Sequence, residues 1–323
     1  MNSFNKKVYI LVAVILLLVF AAAVLFVKLY GTHGKNDDGI FAQKPTLKSE
    51  MPTADNGEKE SVPFNKNEDS AVVSESKENS EKHADKKQAL IEIAEQSMGN
   101  VQGKCQWGFS LFSEGVSYTA ASYAAPSASV IKVFIMEYAF SLIEKGELSQ
   151  ESSIEGRSVN SLLYDMITWS DNTATNIFID YFGMDKMNAF FSEKGYADTR
   201  LERKMLDTAA QSEGRENYTS VNDTMRFLTK LYENRGVKPY SDMLEIMKKQ
   251  QVSTKIRRRF KSGITIANKT GELSNVENDI GIIFGENGDM AVSFMCSSLS
   301  DTASARNAIS LAAYELACET VFK

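Results

Sequence analysis

The sequence predicts an α+β fold in which one antiparallel sheet, flanked by terminal helices, carries an inserted all-α domain. Two observations support this prediction: strand patterns occur near both ends of residues 87–323, and helical periodicity fills the region between them. A transmembrane helix and a disordered linker are predicted to precede this part. The chain therefore divides into residues 1–30, 31–86 and 87–323.

The predicted membrane anchor is an apolar segment at residues 8–27. Its twenty uncharged residues are long enough to span a bilayer as a helix. Lys6 and Lys7 precede the segment, so the short N-terminus is expected to stay inside and the rest of the chain to be exported. A cleaved signal peptide using residues 21–23 is the alternative, although the apolar run continues past that site. We expect an uncleaved anchor.

Residues 31–86 differ in composition from both neighbouring segments. They are rich in Ser, Glu, Lys, Asn and Asp and contain three of the five prolines. Too few apolar residues are present to bury a core, so the segment is predicted to be a disordered tether. A flexible chain of this length reaches roughly 40 Å, enough to hold a domain off a membrane surface.

The elements of the folded region follow from its patterns in chain order. Residues 87–98 predict an amphipathic helix, and residues 104–123 predict a hairpin that turns at residues 113–115. Helices are predicted at 129–145, 160–168, 172–182, 185–194, 221–234 and 241–250. Strands are predicted at 263–268, 279–285 and 289–298, and a final helix at 303–322. A site between the sheet and the helical block would occupy a natural cleft.

Charge and cysteine content exclude several function classes. The net charge is -6 and the basic residues are dispersed, which argues against nucleic-acid binding. One basic cluster, residues 255–261, is predicted to be a solvated edge; contact with an anionic wall polymer or a substrate carboxylate is the alternative. Cys105, Cys296 and Cys318 permit at most one disulfide and fit no metal motif, so structural thiols are expected.

The positions of the histidines exclude two further kinds of site. The chain has two histidines, His33 and His83, and both precede the predicted folded region. That region therefore has neither a Ser-His-Asp triad nor a zinc site built on histidine. We expect no metal and no other cofactor.

A lysine within an apolar run is the first indication of a catalytic site. Ser129 and Lys132 are three residues apart at the start of the helix predicted at residues 129–145, so they share one face. Apolar surroundings should lower the pKa of Lys132, and a neutral amine beside a hydroxyl activates a nucleophile. A lysine that extends from a core helix to the surface is the alternative. The tetrapeptide alone is weak, because Ser-x-x-Lys also begins at Ser3 and Ser74.

Two further motifs strengthen this interpretation. Ser-Asp-Asn at residues 170–172 lies between two predicted helices, and Lys-Thr-Gly at residues 269–271 follows a predicted strand. Each is compatible with capping or turn chemistry, but together and in this order they are specific. Residues 261–263, Lys-Ser-Gly, also fit the third motif; residues 269–271 are preferred because they stand between the expected strands.

With these three motifs, residues 87–323 resemble the class A β-lactamases and the wider penicillin-binding protein superfamily, in which the motifs line one cleft. The flanking "SDNTATNIFID", the "TRLER" loop at residues 199–203 and "NDIGIIF" after the third motif belong to the same resemblance. The resemblance implies a class A β-lactamase-like fold. It also implies a serine hydrolase. Together with the predicted anchor at residues 8–27, this gives a hydrolase of the bacterial cell membrane with an extracytoplasmic domain, which we expect to be a monomer.

The resemblance also implies roles for individual residues. Ser129 would be the nucleophile, Lys132 would help to activate it, and Ser170 would relay a proton to the leaving nitrogen. Lys269 would set the electrostatics around Ser170. The implied substrate-binding residues are Asn172 for a side-chain amide, Thr270 with Lys269 for a carboxylate, Gly271, and Glu272, whose backbone amide would form the oxyanion hole with that of Ser129.

Two departures from the family pattern concern the second half of the reaction. In class A enzymes a loop glutamate activates the water that removes the acyl group, but Met205 stands at that position and Ala209 replaces the partner asparagine. Glu202 and Asp207 are nearby but out of register. The segment between the first two motifs is also short, so one wall of the cleft is expected to be missing. Acylation is expected, whereas efficient hydrolysis of a β-lactam is in doubt.

Four functions are compatible with these features. The leading hypothesis is a membrane-anchored serine hydrolase acylated at Ser129 by β-lactams, and a D,D-carboxypeptidase acting on D-Ala-D-Ala peptides of peptidoglycan is a close alternative. A β-lactam sensor would use the same acylation, but the predicted inner tail, residues 1–7, is too short for an output domain. An inactive wall-binding module would not need a buried lysine beside a serine.

Overall fold

A computed structural model describes residues 69–323 of the chain. The predicted anchor at residues 8–27 and residues 31–68 of the predicted linker lie outside the described residues. Across the part that is described, none of the helices has both the length and the apolar character that crossing a bilayer requires.

The strands form one main sheet and two short pairs. In chain order they are β1 (Lys104–Leu111), β2 (Val116–Ala120), β3 (Ala125–Pro126), β4 (Ser153–Ile154), β5 (Arg157–Ser158), β6 (Tyr218–Thr219), β7 (Ile266–Leu273), β8 (Val276–Gly285) and β9 (Gly288–Ser297). The main sheet has the order β2-β1-β9-β8-β7, and all its pairs are antiparallel. Strands from the two ends of the folded region therefore meet at β1 and β9.

The helices cover both faces of this sheet. They are α1 (Asp69–Met98), α2 (Lys132–Glu144), α3 (Val159–Thr168), α4 (Asn172–Phe182), α5 (Met184–Glu193), α6 (Thr208–Ser212), α7 (Val221–Glu233), α8 (Tyr240–Lys248) and α9 (Thr302–Glu319). Short 3₁₀ turns precede α2 at Ala128–Ile131 and β7 at Ile256–Arg259. The fold is thus α+β, as the sequence predicts.

Two apolar cores arise from the alternation of side chains across the sheet. One face carries Trp107, Phe109 and Leu111 of β1, which pack with Leu90 of α1 and Ile309 of α9. The other face packs against the helical block, whose centre is α2. Because most residues of α2 are apolar, the helix is buried from Lys132 to Phe140. This burial fixes the start of α2, where the Ser-x-x-Lys motif lies.

The first helix begins earlier than the sequence predicts. Residues 69–86 were expected to belong to the disordered linker, whereas α1 starts at Asp69 and continues through them. Residues 87–98 pack on the sheet and act as a nucleus, and adding turns to an existing helix costs little. The added residues are rich in Glu, Lys, Ala and Ser, most of which favour helices even where no core is buried.

The strand that carries the third motif begins and ends later than the sequence predicts. It was expected at residues 263–268, but β7 runs from Ile266 to Leu273 because it pairs with β8 along its whole length. Lys269, Thr270 and Gly271 therefore lie inside the strand. The competing motif at residues 261–263 is exposed and precedes β7.

The prediction of structural thiols is wrong for two of the three cysteines. Cys105 and Cys296 stand opposite each other in the pairing of β1 with β9, with Cα atoms 4.2 Å apart, and form a disulfide. Because the two cysteines are 191 residues apart, local sequence patterns could not predict that they face each other. Cys318 is a free thiol.

The prediction that residues 255–261 form a solvated edge is also wrong in part. Lys255 is fully buried, with its Nζ atom 2.6 Å from Glu272 and 2.9 Å from Glu277. Arg257 is half-buried and donates to Asn268 Oδ1 at 2.6 Å. Carboxylates face Lys255, and amide and carbonyl oxygens face Arg257, which offsets the cost of removing these cations from water. The others in this cluster, Arg258, Arg259 and Lys261, are exposed.

Candidate active site

The Ser-x-x-Lys motif lies in the 3₁₀ turn that leads into α2. Ser129 is partly exposed and Lys132 is buried. The preceding residue, Ala128, has a φ of 47°, a left-handed conformation that is rare for a residue with a side chain. Such strain is sustained only where the surrounding structure fixes the backbone, and it occurs at functional sites. The buried helix thus presents Ser129 at its tip.

The amine of Lys132 connects the first two motifs. Its Nζ atom donates to Ser170 O at 2.7 Å, to Ser170 Oγ at 3.2 Å and to Asn172 Oδ1 at 2.8 Å. The side chain was expected to meet Ser129 directly. Instead its hydrogen bonds go to Ser170 and Asn172, and catalytic hydrogen bonds often form only when substrate is bound.

Burial gives Lys132 the acid–base character that the sequence predicts. Removal from water lowers the pKa of Lys132 to about 7, although the charge of Asp171 acts in the opposite direction. A substantial fraction of the amine is therefore neutral near pH 7. A neutral amine at this position can accept the proton of a serine hydroxyl, whereas a lysine that reached the surface could not.

A second buried lysine approaches Ser170 from the sheet. Lys269 Nζ donates to Ser170 Oγ at 3.0 Å and to Thr270 O at 2.8 Å. Burial, followed by the charge of Lys132, lowers the pKa of Lys269 well below its ordinary value. Ser170 has a φ of 57°, so its backbone is also held in a left-handed conformation. The hydroxyl of Ser170 thus lies between two amines that can donate or accept protons.

Gly271 allows β7 to pass against the backbone of the nucleophile. A Cβ atom at this position would lie 2.7 Å from Ser127 O and 3.1 Å from Ser129 N. No larger residue fits without movement of the backbone, because real Cβ contacts are longer. The amide of Ser129 therefore lies beside the strand that continues into Glu272, the other amide implied for the oxyanion hole.

Sequence reasoning missed the residues that hold the nucleophile in place. Asn278 on β8 donates from Nδ2 to Pro126 O at 2.9 Å and to Ser127 O at 3.1 Å. Ser127 is buried, and its N and Oγ atoms both donate to Asn217 O. Asn278 lies in the segment "NDIGIIF" and Asn217 in the loop before β6, and neither position has a local sequence pattern that predicts this role. Their contacts with Ser127 become apparent only in the folded chain.

A cleft of about 130 Å³ joins the motifs to the loop after residue 199. Ser129, Asn172 and Glu272 line it on one side, and Met205 and Leu206 on the other. Of the eight predicted site residues, Ser129, Asn172 and Glu272 line the cleft. Lys132 bonds Asn172 and Ser170, and Lys269 bonds Ser170, so these three are connected to the cleft through hydrogen bonds. Thr270 is buried, and it and Gly271 follow Lys269 in β7.

The loop opposite Ser129 presents a thioether to the cleft. Met205 is 8% exposed, and its backbone is fixed by Asn176, which bonds both its N and its O atoms at 2.8 and 3.1 Å. The two nearby carboxylates are engaged elsewhere: Arg200 donates to Glu202 at 2.6 Å, and Asp207 accepts from the amide of Ala210 at the start of α6. Neither Glu202 nor Asp207 lines the cleft.

Two carboxylates do line the cleft, but both are paired. Glu216 lies 2.7 Å from Arg203 and closes the base of the loop. Glu272 accepts hydrogen bonds from Lys255 and Thr254. Burial opposes ionisation of Glu272, yet Lys255 outweighs this effect and holds the pKa of Glu272 below its ordinary value. Glu272 is therefore a weak base. Both oxygens of Glu216 already accept hydrogen bonds, from Arg203 and from the amide of Asn217, so they are not free to hold a water.

The arrangement contains the parts that acyl transfer requires. Ser129 lines the cleft after a strained residue, Ala128, and at a helix start that offers backbone amides. Two buried amines of lowered pKa, those of Lys132 and Lys269, meet at Ser170 beside it. Within residues 69–323, no three His, Cys, Asp or Glu side chains are grouped so as to hold a metal ion.

Comparison with solved structures supports the same fold. A β-lactamase from Sphaerobacter thermophilus is 23% identical with a TM-score of 0.62, and the match covers 71% of this chain and 96% of that one. A β-lactamase from Xanthomonas campestris is 18% identical with a TM-score of 0.65, over 73% and 98% of the two chains. A mutant of PBP-A, solved as an acyl-enzyme complex with penicillin G, is 22% identical with a TM-score of 0.61, over 71% and 95%.

Sequence comparison identifies the family. Curated proteins gave no significant match. A family model described as the beta-lactamase enzyme family matches residues 88–317, which include all three motifs and the loop that carries Met205. Because this match covers most of the chain, the protein belongs to the beta-lactamase enzyme family and is a serine hydrolase of the β-lactamase type.

Proposed function

We propose that β-lactams and peptides ending in D-Ala-D-Ala acylate Ser129, and that the penicilloyl ester is long-lived. The observation that carries this proposal is the contrast between the two sides of the cleft. Lys132 and Lys269, whose pKa values are lowered, both bond Ser170 behind one side of the cleft, whereas the loop on the other side presents Met205. The site therefore contains the groups that acylation requires, but it has no free base for deacylation.

Acylation follows from the positions of the amines. Neutral Lys132 takes the proton of Ser129 as the hydroxyl oxygen attacks the carbonyl carbon, and the backbone amides of Ser129 and Glu272 bind the developing oxyanion. As the carbon–nitrogen bond breaks, Ser170 donates its proton to the leaving nitrogen and is reprotonated from the lysines beside it. Lys269 and Thr270 bind the substrate carboxylate, and Asn172 binds the side-chain amide.

Deacylation is the slow step because water has no free base opposite Ser129. A general base contributes about a hundred- to ten-thousand-fold to such a step. The sulfur of Met205 cannot supply it, and Glu216 and Glu272 are held by cations. A cell-wall peptide places its leaving group outside the cleft after acylation, which opens space for water. D,D-carboxypeptidase turnover is therefore the second candidate function.

We further propose that the domain is anchored to the bacterial cell membrane by residues 8–27 and faces outward. The apolar length of that segment and the lysines before it support this topology. The disulfide between Cys105 and Cys296 adds support, because such bonds persist in oxidising compartments and are rare in the cytosol.

The decisive experiment is intact-mass spectrometry of the purified domain over time after addition of benzylpenicillin. We expect the mass to rise by one penicillin and to stay raised for many minutes while little free product forms. Ser129→Ala should abolish the adduct, whereas Ser262→Ala, in the exposed competing motif, should form it as the unaltered protein does. Rapid hydrolysis with no adduct would show that another group acts as base, and an adduct on Ser129→Ala would refute the assignment of the nucleophile.

A further inference from the structure

Two glutamates face each other at the end of the strand pair that carries the third motif. In the pairing of β7 with β8, Glu272 is the direct partner of Glu277, and β7 is an edge strand of the main sheet. Side chains directly opposite each other on antiparallel strands lie about 5 Å apart on one face, and like charges there destabilise the pair. This end of the two strands therefore stays closed only if the two charges are compensated.

Lys255 compensates both carboxylates from one buried position. Its Nζ atom lies 2.6 Å from Glu272 Oε1 and 2.9 Å from Glu277 Oε2. The side chains of Lys255 and Glu277 are fully buried, so salt screens their attraction weakly. Arg306 lies 2.6 Å from Glu277 but 3.9 Å from Glu272. Lys255 is therefore the closer bridge between the two strands.

The backbone beside Lys255 is fixed to the same sheet. The amide of Ile256 donates to Asp279 Oδ2 at 2.9 Å, at the start of the 3₁₀ turn that precedes β7. Asp279 is two residues after Glu277 in β8, so the two side chains point to the same face of the sheet. Lys255 thus approaches the carboxylates from a backbone that β8 already holds, as a rigid support for the strand end.

The neighbouring pair of residues contacts the backbone of the nucleophile. Gly271 stands opposite Asn278, one position along from the two glutamates. Asn278 donates to Ser127 O at 3.1 Å, and a Cβ atom on Gly271 would lie 3.1 Å from Ser129 N. Because the two pairs are consecutive, separation of the glutamates would also disturb this contact. The backbone amide of Glu272 would then shift relative to that of Ser129.

Lys255 cannot meet a substrate itself. It has no exposed surface and does not line the cleft, whereas Glu272 does. Any effect of the lysine on the reaction must therefore pass through the strand end that it holds.

We propose that Lys255 is a positioning residue for the oxyanion hole: by binding Glu272 and Glu277 together, it holds the amide of Glu272 at the required distance from that of Ser129. Lys255 can act in this way only if Ser129 attacks a carbonyl carbon, so the inference rests on the proposed function. The negative charge on the carbonyl oxygen develops in the transition state. Lys255 should therefore affect the rate of acylation rather than the affinity for unreacted penicillin.

The test is stopped-flow acylation by a fluorescent penicillin at several concentrations, which separates the acylation rate constant from the dissociation constant of the unreacted complex. Lys255→Met removes the bridge between the carboxylates. A displacement of about 1 Å at a reacting centre can lower a rate by about a hundred-fold, and we expect a fall of about this size. The dissociation constant should change by less than about three-fold, because uniform binding is retained.

A second substitution tests whether the charges of the two glutamates are the cause. In Lys255→Met, Glu272→Gln, the backbone amide remains but one of the facing charges is gone. The acylation rate constant should recover by at least about ten-fold over Lys255→Met, since the repulsion across the strands is removed. If Lys255→Met does not fold, Lys255→Gln takes its place, because its amide still donates a hydrogen bond to a carboxylate, and the same outcomes apply.

Lys230→Met is the matched control. Lys230 lies 2.8 Å from another buried glutamate, Glu137, and neither residue lines the cleft. This variant should lose stability but keep the acylation rate constant. A Lys255 variant with an unchanged rate constant, a loss no greater than that of Lys230→Met, or no recovery in the double variant would overturn the inference. Failure of every penicillin to acylate the unaltered protein would refute the proposed function instead.

An infrared measurement distinguishes positioning from a loss of stability. In an adduct formed with penicillin labelled with ¹³C at the β-lactam carbonyl, the stretching frequency of the ester carbonyl rises as the hydrogen bonds to its oxygen weaken. Lys255→Met should raise this frequency, and Lys230→Met should leave it unchanged. Equal frequencies in both variants and in the unaltered protein would show that the oxyanion hole is intact without Lys255, and the inference would be wrong.

Discussion

Lys132 and Lys269 donate to the same oxygen atom, Ser170 Oγ, at 3.2 and 3.0 Å. One lysine comes from a buried helix and the other from a strand, so the hydroxyl joins the two halves of the fold. Two cations this close disfavour each other, and the charge of Lys132 is one of the causes that lower the pKa of Lys269. The pair is therefore poised to lose a proton near neutral pH.

The first prediction concerns pH. Since the pKa of Lys132 is about 7 and the neutral amine activates Ser129, the acylation rate should rise with pH and level off above about pH 8. Between pH 5 and pH 8 the rise should be roughly a hundred-fold. Stopped-flow labelling with a fluorescent penicillin measures this. A rate that is flat over the range would exclude Lys132 as the base, and Lys132→Arg, which cannot lose its proton, should be inactive at every pH.

The second prediction concerns Gly271. The Cβ atom of Gly271→Ala would meet Ser127 O at 2.7 Å, so β7 must move away from the nucleophile. We expect acylation to fall by about a hundred-fold and the free energy of unfolding to fall by about 1–3 kcal/mol. Gly236→Ala is the control, since nothing lies within 4 Å of its Cβ atom. An unchanged acylation rate in Gly271→Ala would show that acylation does not depend on the close approach of β7 to the backbone of Ser127 and Ser129.

Much of this fold follows from local pattern, and the exceptions have physical causes. The helix at 172–182 and the hairpin of β8 with β9 have the predicted bounds to within a few residues, because apolar periodicity and turn residues define them. The burial of Lys255 could not be predicted, since its two glutamates lie 17 and 22 residues away in the chain. Long-range pairing, which no short segment encodes, also produced the disulfide.

The same distinction applies to the site. The three motifs are read directly from the sequence, and the structure brings them together. The clamp formed by Asn278 on Ser127 could not be foreseen, because an asparagine in a strand has no preferred partner until register is known. Nor could the sequence show that Lys132 bonds Ser170 and Asn172 rather than Ser129, since the direction of a long side chain depends on the packing around it.

The third prediction restores a base to the loop. Met205→Glu places a carboxylate in the cleft opposite Ser129 and should shorten the lifetime of the penicilloyl adduct by at least ten-fold. The double variant Met205→Glu, Ala209→Asn should shorten it further. Met205→Gln is the matched control, because it has the shape of glutamate without its basicity. Equal lifetimes for the Glu and Gln variants, measured by mass spectrometry, would contradict the assigned role of this position.

The fourth prediction concerns the disulfide. The bond closes a loop of 191 residues, so its loss frees a large part of the unfolded chain. Cys105→Ala should lower the free energy of unfolding by about 2–5 kcal/mol in urea titrations, and reductant should have a similar effect on the unaltered protein. Cys318→Ala should change little, since Cys318 is a free thiol. Equal stability of the first variant and the unaltered protein would mean that the bond is not formed.

The fifth prediction concerns topology. If residues 8–27 are an uncleaved anchor, the full-length protein should keep its N-terminus and fractionate with membranes. Protease added from outside should release a domain that begins between residues 31 and 69, before α1. Replacing residues 8–27 by a cleavable signal sequence is the control and should give a freely released domain. A mature protein that starts near residue 24 would favour a signal peptide.

The position of β1 beside β9 has a consequence for how the chain folds. Strand β1 is made early, but its partner lies about 190 residues later, and α1 packs beside α9 near the very end. The hairpin of β1 with β2 therefore cannot join the other three strands of the sheet until β9 has been synthesised. Pairing over such a distance is slow, since loop closure precedes any stabilising contact. The first hairpin thus presents an open sheet edge during synthesis, until β9 pairs with β1.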